Sequence, residues 1–196
     1  VRRCRTGAQG AGTGRSTRSA TVTMASSIPE GTTSPAGLET ELDRIEHALA
    51  TGRLTTLTGT GGAGRTLLAI HAAGRVRSLY RDGVRWADLA PVHDDELLLA
   101  TVCEAVGLGG RTRRGPVEAL VEVVCEGLAE MHLLLVLDSC EHVRPGCAHL
   151  LGEILTTSPG LTVLATSGQP LGVRGEQCVG VLGAGADPGP GPRPPR

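Results

Sequence analysis

The stretch GTGGAGRT, residues 59–66, decides the fold of this 196-residue chain. It follows a short run of strand-forming residues (RLTTLT, residues 53–58) and leads into a helical pattern over residues 66–76. Its four glycines allow backbone N–H groups to converge on one point, and the N-terminus of the helix adds a dipole that favours anions. The stretch therefore predicts a phosphate-binding loop between a strand and a helix.

This loop follows the P-loop pattern G-x-x-x-x-G-K-[ST] except at Arg65, which replaces the lysine. Thr66 would supply the hydroxyl that ligates Mg²⁺. A glycine-rich turn with no ligand remains the alternative for this stretch taken alone. The residues predicted to contact the nucleotide are Gly59, Thr60, Gly61, Gly62, Ala63, Gly64, Arg65, Thr66 and Leu67.

A second motif, HLLLVLD at residues 132–138, is an apolar run that ends in Asp138. Such a run is typical of a strand buried on both faces of a parallel sheet. Open α/β sheets bind ligands at the carboxyl ends of their strands, which is where this carboxylate would lie. We therefore predict that Asp138 acts as a Walker B aspartate and holds Mg²⁺ together with Thr66. An aspartate that caps a turn is the alternative.

The rest of the central region alternates between strand and helix patterns. Residues 83–89 and 161–166 are predicted strands, and residues 95–106 and 117–128 have helical periodicity. Alternation of this kind predicts βαβ units with right-handed crossovers and hence a parallel α/β fold.

The two ends of the chain differ in composition from residues 35–182, which form the predicted domain. Residues 1–34 are rich in Gly, Ser, Thr and Arg, and we predict that they are disordered. They could also be a basic arm for nucleic acid, a transit peptide, or an overextended start before Met24. Residues 183–196 are a Pro/Gly tail that cannot form a packed core.

Charge and hydropathy limit the partners of the chain. Residues 35–182 carry a net charge of −6 once the +4 of residues 1–34 and the +1 of residues 183–196 are subtracted from the overall −1. An acidic domain is a poor general surface for nucleic acid, so DNA binding by this chain alone is not expected. No apolar run approaches the ~18 residues of a membrane span, and no signal peptide is recognisable. We therefore predict a cytoplasmic protein.

Four motifs follow one another along the chain. They are TLTGTGGAGRT at residues 56–66, GVRWADLAPV at 83–92, LLVLDSCEHV at 134–143 and LTVLATSGQPLGV at 161–173. With these motifs, residues 35–182 resemble the nucleotide-binding domain of STAND-type P-loop NTPases in actinobacterial LuxR-type and SARP-type transcriptional regulators. The resemblance implies a three-layer parallel sheet of strand order 5-1-4-3-2 and a switch domain that binds ATP or ADP with Mg²⁺.

Departures from the family's motifs predict weak or absent ATP hydrolysis. Arg65 is bulkier than the usual lysine and is planar. Gly168 stands where the resemblance implies an arginine that senses the γ-phosphate, so that charge is missing. Ser139 stands for asparagine, and Leu38 for arginine. Glu141 is retained and could orient a water or act as a base, although a carboxylate at a helix start is an equal alternative.

Larger members of this family continue into a winged-helix module, a repeat sensor and DNA-binding domains. The chain is therefore predicted to be a truncated regulator, with the nucleotide lid either absent or supplied by another domain or chain. Two other hypotheses stay open. One is a decayed fragment that keeps the fold without binding nucleotide, and the other is a DNA-associated regulator that uses the N-terminal arginines.

A zinc site is a further alternative, with Cys140, His142, Cys147 and His149 as its ligands. Structural zinc sites favour C-x₂₋₄-C spacing, which these residues lack. The motif containing Cys140 and His142 is already explained by the family resemblance, so zinc is not favoured.

Overall fold

The computed structural model describes residues 35–59, 61–109 and 117–181. The predictions for residues 1–34 and 183–196 lie outside these ranges. No helix within them is long and apolar enough to cross a lipid bilayer. The strands are β1 (Leu54–Thr58), β2 (Val84–Asp88), β3 (Leu134–Asp138), β4 (Thr162–Thr166) and β5 (Glu176–Gly180). The α-helices are α1 (Pro35–Thr51), α2 (Gly62–Val76), α3 (Asp95–Ala105), α4 (Val117–Leu128) and α5 (Arg144–Thr157), and short 3₁₀ turns span Arg77–Leu79 and Cys140–His142.

The five strands form one parallel sheet in the order β2-β3-β4-β1-β5. Counted from the other edge this is 5-1-4-3-2, so the predicted order is confirmed. Strand β4 lies between β1 and β3, with Leu54 opposite Val163 and Leu134 opposite Thr162. The carboxyl ends of β1, β4 and β3 therefore lie side by side.

Strand β3 shows why the sheet is covered on both faces. All five of its residues are buried. Leu135 and Leu137 pack into the apolar cluster that contains residues of α3, α4 and α5, whereas Leu134 and Val136 pack into the cluster formed with α1 and α2. Each buried leucine contributes about 1.5–3 kcal/mol relative to exposure. The predicted three-layer arrangement of helices, sheet and helices is confirmed.

The N-termini of α3 and α2 are set by different local features. Helix α3 begins after Asp94, whose side chain accepts a hydrogen bond from the Leu97 amide at 2.7 Å, so a standard N-cap sets its start. Helix α2 differs from the sequence prediction, because it begins at Gly62 and not at Thr66. The glycine-rich loop thus contributes the first turn of this helix.

The turn between α5 and β4 provides a test of the fold. A Cβ atom on Gly160 would lie 2.5 Å from the carbonyl oxygen of Met131, which is backbone and cannot rotate away. We expect Gly160→Ala to lower the free energy of unfolding by about 1–3 kcal/mol, measured in denaturant. The control is Gly152→Ala on the exposed face of α5, where a Cβ meets nothing within 4 Å. That variant should be about 0.5–1 kcal/mol more stable, because alanine is the better helix former. Equal stabilities for the two variants would contradict this account of the turn.

Candidate functional site

The loop after β1 has a backbone that glycine permits. Gly59 has a φ of +146° and Gly61 a φ of +102°, which L side chains rarely adopt. A Cβ on Gly59 would also overlap the carbonyl oxygen of Val181 after β5. Thr60 lies outside the described residues. Because α2 starts at Gly62, the amides of its first turn have no partners within the helix and form a positive N-terminus suited to an anion.

The remaining residues of the predicted nucleotide-binding set differ in exposure. Ala63 is exposed, as are Gly61 and Gly62 before it. Gly64 and Leu67 are half-buried. The exposed glycine backbone is therefore open to a ligand, whereas the side chains that follow are drawn toward the protein.

The structure brings together the two predicted metal ligands. The Thr66 hydroxyl on α2 lies 2.9 Å and 3.0 Å from the two carboxylate oxygens of Asp138 at the end of β3. Only 6% of Asp138 is exposed. A hydroxyl and a carboxylate are oxygen donors of the kind that Mg²⁺ selects, so the donor set fits this cation. Their role as metal ligands stays a prediction.

A third residue at this point, Thr166, was not predicted to belong to the site. Its hydroxyl donates to Oδ1 of Asp138 at 2.6 Å and accepts from the Ser139 amide at 2.8 Å. Thr166 is the last residue of β4, the strand between β1 and β3. It therefore fixes the Asp138 carboxylate from the strand that pairs with β3. The signal in the sequence was a polar residue at the carboxyl end of the predicted strand LTVLAT.

The backbone turns sharply directly after Asp138. Ser139 has a φ of 66° and a ψ of 50°, in the left-handed region, and is the only non-glycine residue with positive φ in the described ranges. Its amide is held by Thr166, and the 3₁₀ turn Cys140–His142 follows. Asparagine tolerates this conformation better than serine, which gives a physical reason for asparagine in the related motif.

Arg65 and Glu141 form an ion pair across the site. Nη2 of Arg65 lies 3.4 Å from Oε1 of Glu141. The arginine side chain is 6% exposed and the glutamate side chain 42%. Nε and Nη1 of Arg65 are buried without an acceptor among the residues that the structure describes. The candidate catalytic carboxylate is thus paired with the residue that replaces the P-loop lysine.

The zinc alternative concerns residues with other contacts. Cys140 is buried and its thiol donates to the Leu137 carbonyl at 3.4 Å. A hydrogen bond with Cys147, together with burial, raises the pKa of the Cys140 thiol, so it stays protonated near neutral pH. Nε2 of His142 lies 2.7 Å from the Val92 carbonyl oxygen, and His149 is exposed. No group of three or more His, Cys, Asp or Glu residues in the described part of the chain is arranged to hold a metal ion.

The sequence of the chain is similar to that of a protein described as a regulator. No protein-family model matches the chain. A protein of Mycobacterium tuberculosis, described as a candidate HTH-type transcriptional regulator, is 43% identical over 128 residues. The match covers 65% of this chain and 14% of the relative, so the chain spans a small part of that protein.

Two solved structures share the fold. A STAND protein (signal transduction ATPase with numerous domains) with a tetratricopeptide-repeat sensor from Pyrococcus horikoshii has a TM-score of 0.52 at 17% identity, over 72% of this chain and 22% of that one. The Aeropyrum pernix ORC1 protein in complex with DNA has a TM-score of 0.52 at 20% identity, over 74% of this chain and 47% of that one. The chain therefore shares the fold of these two proteins over about three quarters of its length.

The left-handed residue after Asp138 provides a second test. Replacing Ser139 by asparagine should raise the free energy of unfolding by about 0.5–1 kcal/mol, because strain of this type costs about 1–3 kcal/mol and asparagine relieves part of it. The hydrogen bond to the Thr166 hydroxyl is unaffected, since its donor at position 139 is the backbone amide. Ser139→Ala is the control, because alanine removes the hydroxyl and keeps the strain. An asparagine variant no more stable than the alanine variant in denaturant would refute this assignment of strain.

Proposed function

We propose that this chain is the nucleotide-binding switch domain of a bacterial signalling or transcriptional regulator, which binds ATP or ADP with Mg²⁺ and hydrolyses ATP slowly or not at all. The observation that carries the proposal is the contact between the Thr66 hydroxyl and the buried Asp138 carboxylate beside the N-terminus of α2. A glycine-rich turn without a ligand would not require these groups to meet. The fold supports the same assignment.

In this proposal the loop and helix hold the phosphates. The amides of the first turn of α2 donate to phosphate oxygens, and the helix dipole favours their charge. Thr66 and Asp138 hold Mg²⁺, and Thr166 keeps the carboxylate oriented from β4. The ion would offset the negative charge of the phosphates. Gly59 and Gly61 allow the backbone to pass close to the phosphates.

Slow hydrolysis follows from the pairing of Glu141. A general base must be free to accept a proton from the attacking water. Glu141 is instead the partner of the Arg65 guanidinium, at 3.4 Å. The Asp138 carboxylate accepts hydrogen bonds from two threonine hydroxyls and would bind the metal. Asp138 therefore does not replace Glu141 as the base. Turnover near background is the expected result.

The regulatory part of the proposal depends on the relatives and on charge. The Mycobacterium relative is described as a regulator of the HTH type, and the chain spans a fraction of it. A switch domain of this kind acts through other domains or chains, which we propose also supply the lid over the nucleotide. The acidic balance of residues 35–182 does not favour DNA binding by this region itself.

The first functional test concerns the metal. The purified chain should bind ADP more tightly with Mg²⁺ than with EDTA, measured by titration calorimetry. Asp138→Asn should abolish this difference, with a loss of about 10-fold or more in affinity with Mg²⁺ present. The control is Asp43→Asn, the same chemical change on a 74% exposed side chain of α1.

Two results would count against the proposal. If the unmodified chain binds neither ADP nor ATP, the chain keeps the fold without the function, as in the decayed-fragment hypothesis. If Asp138→Asn and Asp43→Asn behave alike, the nucleotide is held without the proposed metal site.

The second functional test concerns turnover. The unmodified chain should release phosphate from ATP at a rate close to background. Arg65→Lys keeps the charge but removes the bulky planar group that contacts Glu141, so the rate should rise by about 10-fold or more. Arg65→Lys combined with Glu141→Gln should return it to background. Robust hydrolysis by the unmodified chain would overturn the proposed role of the ion pair.

A further inference from the structure

Gly168 lies close to the proposed phosphate site although it is distant from the P-loop in sequence. It follows β4 by two residues, and β4 lies between the P-loop strand β1 and the Asp138 strand β3. The intervening Ser167 amide donates to the Leu57 carbonyl of β1 at 3.0 Å, so the chain remains next to β1 beyond the end of β4. Gly168 therefore lies at the edge of the sheet where the P-loop begins.

The guanidinium of Arg65 occupies the space beside this glycine. A Cβ atom built on Gly168 would meet one heavy atom within 4 Å among the described residues, Nη1 of Arg65 at 4.0 Å. On the other side, a Cβ on Gly62 would lie 3.9 Å from Nη2 of the same group. The cation thus extends from the first turn of α2 toward the end of β4 between two residues that have no side chains.

The donors of this guanidinium are only partly used. Nη2 has Glu141 as its acceptor, whereas Nε and Nη1 are buried and have none in the described part of the chain. Buried donors without acceptors are unfavourable, and oxyanions are the strongest acceptors for a guanidinium. Nη1 is the nitrogen on the side of Gly168. An oxyanion beside the end of β4 would satisfy it.

We infer that Arg65 supplies at the end of β4 the positive charge for a phosphoryl group of the nucleotide, and that the absence of a side chain at Gly168 makes room for it. The two positions then act as one unit that carries a single cation. This inference rests on the proposed nucleotide site and adds the residue pair that neutralises the phosphate. It requires that a cation attached at position 168 can replace the one at position 65.

A charge relocation tests this requirement, with inorganic pyrophosphate and Mg²⁺–ADP as ligands in titration calorimetry. Arg65→Gln should lower the affinity for both ligands by about 10-fold to 100-fold, the range expected for the loss of one charge-assisted hydrogen bond. Adding Gly168→Arg to it should recover at least 5-fold of the pyrophosphate affinity. Two control variants also contain Arg65→Gln. Gly168→Gln adds length without charge, and Gly152→Arg adds the same charge on exposed α5. Neither control should recover affinity.

A second measurement does not depend on the Arg65→Gln variants. Without ligand and at low salt, Gly168→Arg alone should lower the melting temperature more than Gly168→Gln alone, because it places a second guanidinium beside the first. Added pyrophosphate or high salt should reduce that difference.

The outcomes separate the inference from the proposed function. If the unmodified chain binds Mg²⁺–ADP but the relocated charge performs no better than its two controls, the inference is overturned and the nucleotide site stands. Equal melting temperatures for the Gly168→Arg and Gly168→Gln variants would also overturn it. If the unmodified chain binds neither ligand, the proposed function fails and the inference fails with it.

Discussion

Two threonine hydroxyls, from Thr66 on α2 and from Thr166 on β4, hydrogen-bond to the carboxylate of Asp138 at the end of β3. These contacts join the P-loop helix, the central strand and the Asp138 strand at one edge of the sheet. The strand order makes this possible, because β4 must lie next to β3 for Thr166 to reach Asp138. Asp138 is 6% exposed, and a buried carboxylate without such partners would be costly. The arrangement of the site therefore depends on the hydrogen bonds between the two threonines and Asp138.

Arg65 adds a second constraint to the same edge. It is buried, it pairs with Glu141, and it lies beside Gly168. A lysine would present a compact charge on a flexible stem, whereas arginine brings a planar group with five donors that must be accommodated. The two bare glycines and the glutamate provide that accommodation. In the proposed function this favours retention of phosphate over hydrolysis, which suits a domain that signals by its bound nucleotide.

The sequence was sufficient for the fold because its signals were local and consistent. The glycine-rich loop, the apolar run before Asp138 and the alternation of strands and helices predicted the parallel sheet, and the family resemblance implied its order. The sequence predicts the start of α2 four residues late, at Thr66 and not at Gly62, since glycines are poor helix formers. Thr166 was missed because its role depends on which strand lies next to β3. The proximity of Arg65 and Gly168 does not follow from the sequence either, since the two residues lie far apart along the chain and meet only through the position of β4.

The central claim is that the carboxyl ends of β1, β4 and β3 form a nucleotide site. A crystal structure of the chain with ADP and Mg²⁺ tests it most directly. We expect the diphosphate against the amides of the first turn of α2, with the metal at ~2.0–2.1 Å from the Thr66 hydroxyl and Asp138 bound to the metal directly or through water. A nucleotide held elsewhere on the protein, or a diphosphate in the loop with no metal near Thr66 and Asp138, would contradict it.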